Sequence, residues 1–300
     1  MSALQGAAQV LRRLWQALQR LARRTPLAAL VTERDIPDAL WQDTLAHYPF
    51  LTCLNAAEAQ HLRRLSAAFL AHKEFHGSHG LVVTDAMAVD IAAQACLPLL
   101  YWGDGTEALG WYDDFVGIVL HPGQALARRK AVDDAGVVHH YTEVLAGEAM
   151  ERGPIMLSWQ DVRAGAHSTH HGTNVVIHEF AHKLDMRNGS ADGCPPLPAG
   201  FMGTEGARAA HALWWQAWES AYAQFKERVT IAERFGGAWP WLDAYGATAP
   251  AEFFAVACEA YWVNRMQFAH EFPSLAPLLD AFFSVRREHI DLQKKSQISL

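Results

Sequence analysis

The sequence predicts an α+β fold in which a few short strands precede a helical half. Residues 115–121 (FVGIVLH), 137–145 (VVHHYTEVL) and 154–159 (PIMLSW) are short, rich in β-branched or aromatic side chains, and bounded by Gly or Pro. Those are strand signals. From residue 174 onward, helical segments separated by Gly- and Pro-bearing loops dominate. The composition, 51% apolar and 19% charged over 300 residues, is that of a globular chain able to bury a substantial core.

Taken in order, residues 1–32 carry Arg12, Arg13, Arg20, Arg23 and Arg24 and no acid, with Leu11, Leu14, Leu18 and Leu21 on one helical face. This sets apart a basic amphipathic N-terminal extension, residues 1–40, from a domain spanning 41–300. The extension reads as a helix docked on the body, with membrane-surface contact or a partner-binding arm as the alternatives. Asn55 is a plausible N-cap for a helix running to about Phe75, with Leu62, Leu65 and Phe69 on its apolar side. A second helix follows Thr84 or Asp85 and ends near Pro98. After the strands, 164–171 is a loop and 174–187 a helix stopped by Asn188 and Gly189. The Gly- and Pro-rich stretch 189–204 is a loop. Further helices are expected over 206–229, from about Thr248 to Arg265 with Thr248 as cap, and from about Ser274.

Several function classes fall away. A net charge of −7 argues against a general nucleic-acid binder, which needs a basic surplus. Cys53, Cys96, Cys194 and Cys258 are scattered with no CxxC pair, a pattern that fits reduced thiols better than a disulfide framework. Ser158 and Ser168 lack a nucleophile-elbow pattern, and there is no P-loop or dinucleotide fingerprint. No stretch approaches the length of a transmembrane helix, so the expectation is a soluble, cytoplasmic protein.

The informative segment is VVIHEFAHKLD, residues 175–185. On a helix, residues four apart lie one above the other, so His178 and His182 can direct two imidazoles at one ion. Glu179 follows the first ligand and projects beside the metal, where it can accept a proton from an activated water. With 16 His in the chain, a chance H-E-x-x-H arises in about one such sequence in twenty, so context matters. The context is three β-branched residues before the motif and no Pro within it. Two imidazoles and a carboxylate buried together also need partners, and a metal supplies one.

A catalytic zinc takes three protein ligands and keeps one position open. Asp185 shares the histidine face but attaches a turn too far along, which suits either orienting His182 or a neighbouring backbone group, or a place at the helix surface. In LDAYGATAPAEFFAVACEAYW, residues 242–262, Glu252 and Glu259 share a face seven residues apart. By spacing either can be the third ligand, Glu252 being favoured with Glu259 supporting it; helix-dipole stabilisation alone also explains an early Glu252. Tyr245 can point a hydroxyl at a substrate carbonyl.

Together, VVIHEFAHKLD, LDAYGATAPAEFFAVACEAYW and the preceding GPIMLSWQDV resemble the Mlc titration factor A family of zinc peptidases, over about residues 49–277. That family's catalytic core is similar to that of the anthrax lethal factor. The resemblance implies a zincin-like, gluzincin-type fold with a small mixed sheet and an active-site helix, and aminopeptidase-like hydrolysis of peptide substrates. It implies one catalytic Zn2+ held by His178, His182 and Glu252, with Glu179 and Tyr245 catalytic; the interval from Tyr245 to Glu252 matches the family's seven residues. It also implies, from the enterobacterial members, a partner: the glucose repressor Mlc. The chain departs from the family pattern in its basic N-terminal extension and in 189–204.

The remaining signals read more plainly. His167, His170 and His171 are loop histidines near the mouth of the site, and His139 and His140 are structural. Trp214, Trp215 and Trp218 form an apolar stripe on a helix, facing the core.

Overall fold

Pro37 opens the first helix, α1 (Asp38–His47), which the sequence reading did not anticipate; it buries only Trp41 and Thr44. The computed structural model describes residues 35–103, 105–123, 125–132, 138–145, 147–149 and 153–283. The predicted amphipathic helix of the N-terminal extension lies outside them. Next comes α2 (Ala56–His72), started by a reciprocal cap. Asn55 Oδ1 accepts the N–H groups of Ala57 and Glu58, while the Glu58 carboxylate accepts the N–H of Asn55 at 3.0 Å. Leu62, Leu65 and Phe69 bury as expected.

Helix α2 stops at His72, short of the predicted Phe75. Residues Glu74–Gly77 instead form β1. Phe75 is the one large apolar residue there, so no alternation marks the strand, and its existence depends on backbone pairing with β2. Helix α3 (Asp85–Cys96) is capped by Thr84, whose hydroxyl accepts the N–H of Met87.

The remaining strands are β2 (Gly117–His121), β3 (Ala125–Val132), β4 (Val138–Leu145), β5 (Gly147–Ala149) and β6 (Ile155–Ser158). They form a four-stranded sheet in the order β1-β2-β6-β5 and a separate antiparallel pair β3-β4. Strands β1, β2 and β6 run parallel and β5 antiparallel to β6, so the sheet is small and mixed. Ile118, Leu120, Ile155 and Leu157 are fully buried on it, and each contributes roughly 1.5–3 kcal/mol of apolar burial. The side chains of His139 and His140, on β4, lie outside the described residues.

Helices make up the rest: α4 (Trp159–Ala164), α5 (Val175–Asp185), α6 (Ala207–Phe235), α7 (Pro250–Val263), α8 (Arg265–Glu271) and α9 (Ala276–Phe283). The fold is thus α+β and mostly helical. Helix α6 continues past the predicted end at Val229 to Phe235, and Gly236, with a left-handed φ of +70°, closes it by bonding its N–H back to Ala232 O. Trp214 and Trp218, four apart, stack at 4.7 Å in the core against Phe253 and Phe254. Trp215, a third of a turn round, packs against the edge of the same core but is only partly buried and donates to His211. Thr248 does not cap α7: its hydroxyl donates to Tyr245 O, and Ala249 takes the cap position without a side-chain bond. No described helix is long and apolar enough to cross a membrane.

Candidate metal centre

Helix α5 is encased: every residue from Val176 to Asp185 is buried. Buried polar groups need partners, so the destination of each is informative. Asn174 starts the helix, its Oδ1 accepting the N–H of Ile177 at 2.9 Å and its Nδ2 donating to Gln94 Oε1 of α3 at 2.7 Å. Lys183 lies fully inside, its ammonium 3.1 Å from Asp114 Oδ2 and over the Phe115 ring. Asp185 accepts the N–H of Gly193 at 2.8 Å. Of the roles open to it, the surface one is excluded by complete burial, and the bond to a backbone group is the one observed. Burial pushes its carboxyl up to about 7, against the pull of the Gly193 N–H.

His178 and His182 present their Nε2 atoms 3.2 Å apart, with ring centroids at 4.8 Å. The first turn of α7 brings Glu252 to both, its Oε2 lying 3.1 Å from His178 Nε2 and 3.2 Å from His182 Nε2. The three atoms make a near-equilateral triangle. Two imidazole lone pairs and a carboxylate oxygen cannot bond one another without a cation or a proton among them. Atoms bound to a tetrahedral zinc at its usual distances stand about 3.3 Å apart, which is the spacing seen. The donor set therefore fits zinc. Among the described residues this is the one group of three or more His, Cys, Asp or Glu so converged.

On the far side of His178, Nδ1 lies 2.6 Å from Glu259 Oε1. The other oxygen of Glu259 accepts the N–H of Asn174. With Nδ1 protonated and donating to Glu259, His178 Nε2 is left free to ligate, the arrangement that orients many metal-bound histidines. Glu252 and Glu259, seven residues apart on α7, thus approach opposite nitrogens of one ring.

The electrostatics divide the two histidines. Burial works against a charged His178, yet Glu259 and Glu252 hold its pKa well above the ordinary value. Burial lowers that of His182. Burial would raise the Glu252 carboxyl, but the two imidazoles hold it well below the usual range. Glu259 is raised by burial, with His178 opposing. The two carboxylates thus favour the charged form of His178, while burial keeps His182 towards its neutral form.

Glu179 is buried, 3% exposed, on the residue after the first histidine. Tyr245 stands at the rim, 40% exposed, its ring 6.0 Å from that of His178. It sits in a short 3-10 turn, residues Ala244–Ala247, in which Asp243 accepts its N–H. His167, His170 and His171 are not part of the ligand group. His170 contributes a backbone oxygen that accepts the indole N–H of Trp241. Sequence reasoning passed over Asn174 and Gln94 as parts of the site. An N-cap position was legible at Asn174, but its link to Glu259 joins residues 85 apart in the chain.

An H-E-x-x-H helix beneath a small mixed sheet, with a glutamate brought in by a later helix, defines the architecture of a metallopeptidase. The chain belongs to the family of glucose-regulated metallo-peptidases M90, which it matches over residues 18–284. It is 35% identical over 246 residues to "Mlc titration factor A" of Serratia proteamaculans, covering 82% of this chain and 86% of that one. Proteins of the same name from Salmonella arizonae and Escherichia coli O1:K1 are 34% and 33% identical, covering 79% and 78% of this chain and 87% and 82% of theirs. The family match is longer at both ends than the motifs alone suggested, and it reaches into the basic N-terminal segment.

Proposed function

We propose that the chain is a zinc-dependent peptidase of zincin-like fold, with aminopeptidase-like activity, working in the cytoplasm. His178, His182 and Glu252 hold the ion in the domain of residues 41–300, and residues 1–40 are a basic extension. The observation that carries the reading is the triangle of three ligand atoms at 3.1–3.2 Å, backed by Glu259 on the outer nitrogen of His178. When bound, zinc supplies a Lewis acid that makes water nucleophilic at neutral pH and polarises the scissile carbonyl. Glu179, held beside the ligands and shielded from solvent, takes the water proton and returns it to the leaving amine. Tyr245 donates its hydroxyl proton in a hydrogen bond to the developing oxyanion. Substrate backbone adds to the sheet at β5, which is an edge strand and packs against α5. The strand predicted at 154–159 is β6, and it offers no free edge, since it is paired with β2 on one side and β5 on the other.

Glu179→Gln keeps the ligands and removes the base. It retains one zinc by metal analysis and loses hydrolysis of aminoacyl reporters by about 10²–10⁴-fold. Chelator abolishes the native activity. Full turnover by the glutamine variant refutes the base.

The name shared by the relatives favours a second reading: this chain binds a transcriptional repressor of the Mlc type, with peptidase activity secondary to sequestration. Pull-down with the Glu179→Gln variant separates the two. Binding that survives removal of zinc favours sequestration, and cleavage of the partner by native protein favours proteolysis.

A further inference from the structure

Asp185 ends the histidine helix as a fully buried carboxylate, three residues past His182. That is an unfavourable position twice over, because burial disfavours the charge and the C-terminal end of a helix is itself negative. Its Oδ2 accepts the N–H of Gly193 at 2.8 Å, and the backbone N–H groups on either side, of Asp192 and Cys194, also act on the carboxyl.

Gly193 is the point at which three helices meet one loop. Its φ is +89°, a left-handed conformation, and an added Cβ would lie 2.7 Å from Pro250 O, so its backbone rests directly on the first residue of α7. Its own carbonyl accepts the indole N–H of Trp214, on α6, at 2.9 Å. Asn188 tightens the same loop by donating to Cys194 O at 3.0 Å. Helix α7 has little at its start to fix it locally: Ala249 offers no side-chain cap and Pro250 no N–H. Glu252 sits two residues beyond that contact.

We infer that Asp185 is a positioning residue for the third metal ligand: through Gly193 it seats the first turn of α7, and so places Glu252 opposite the two imidazoles. The inference rests on the metal reading above. It gives the loop 189–204 a task, that of joining the end of the histidine helix to the start of the glutamate helix.

The test uses the full chain and three readouts: zinc affinity by competition with a chromophoric chelator, the visible absorption of the Co2+-substituted protein, and the melting temperature of the metal-free protein. Native protein must bind one zinc; if it does not, the metal reading fails before this one is reached. Asp185→Ala removes the acceptor, and Gly193→Ala presses a methyl group onto Pro250. Both are expected to weaken zinc about 10- to 100-fold and to alter the Co2+ spectrum. Asp185→Asn keeps an oxygen for the Gly193 N–H and is expected to stay within about threefold of native, a rescue that separates the hydrogen bond from the charge. Native zinc affinity in a folded Asp185→Ala variant overturns the inference, even with a lowered melting temperature, and so does an asparagine variant as weak as alanine. Should Asp185→Ala fail to fold, Gly193→Ala decides by the same criterion. If both fail to fold with zinc present, the contact serves the whole fold and the inference falls.

Discussion

Helix α5 opens on a side chain, and α7 opens on backbone. At the start of α5, Asn174 holds the first turn through Oδ1, ties it to α3 through Gln94, and donates its own N–H to Glu259, which grips His178. Cap and ligand orientation are thus one connected, buried set of hydrogen bonds. At the start of α7, the Ala249 cap position makes no side-chain bond, and the first turn is seated by the packed Phe253 and Phe254 and the abutting Gly193. A metal site demands placement to within about 0.5 Å. The two histidines therefore sit on a helix whose start is tied down by side-chain hydrogen bonds, to Ile177 N–H within the helix and to Gln94 and Glu259 from elsewhere in the chain, whereas Glu252 sits on a helix whose start is held by packing alone.

The sharpest way to break the α5 side is at Glu259. Glu259→Leu removes the acceptor of His178 Nδ1 and leaves the Asn174 N–H buried without its partner. Metal affinity should fall about 10- to 100-fold by chelator competition. The unsatisfied amide should add about 1–3 kcal/mol of destabilisation, read by denaturant unfolding of the metal-free protein. Unchanged zinc affinity would show that α5 needs no help in aiming His178.

The same contrast explains what could be read from the sequence. His178, Glu179 and His182 were legible because helical geometry alone brings residues four apart together. The caps at Asn55 and Thr84 were legible because the capping residue and the helix it starts are adjacent. Glu252 and Glu259 were legible as a pair, with Glu252 favoured for the metal and Glu259 in support, though spacing left the reverse open. The division, one carboxylate on each nitrogen of His178, depends on how α7 crosses α5. Thr248 looked like a cap by residue type, yet its hydroxyl is engaged one turn back by Tyr245 O, a local competitor that type alone does not reveal. Strand β1 carried no alternation and was read as the end of a helix, because its reason for being extended lies in β2, more than forty residues away. Asp185 was legible as polar and on the histidine face, whereas Gly193 as its partner was not.

A smaller effect is expected from loosening the α5 cap itself. Asn174→Ala removes the acceptor of the Ile177 N–H and the donor to Gln94, while its backbone N–H still reaches Glu259. Loss of a cap of this kind costs about 1–2 kcal/mol, which for a chain this long is a fall of a few degrees in melting temperature. Zinc affinity should drop less than in Glu259→Leu, because the carboxylate on Nδ1 remains. An equal drop in both would mean that helix start and ligand aim cannot be separated.

The smallest change runs the other way and asks whether α7 can be given the local signal it lacks. Ala249 has extended backbone angles, φ −155° and ψ 155°, suited to an N-cap residue. Ala249→Ser places a hydroxyl where it can accept from Ala251 or Glu252 N–H, the orphan donors of the first turn. The expected gain is about 0.5–1 kcal/mol in the metal-free protein, seen as a rise of one to a few degrees in melting temperature. Zinc affinity should not change, because in the native chain the first turn is already seated from outside by Gly193. A serine that tightened zinc severalfold would show instead that the start of α7 frays before the metal arrives, and that tertiary contact alone leaves the third ligand short of its place.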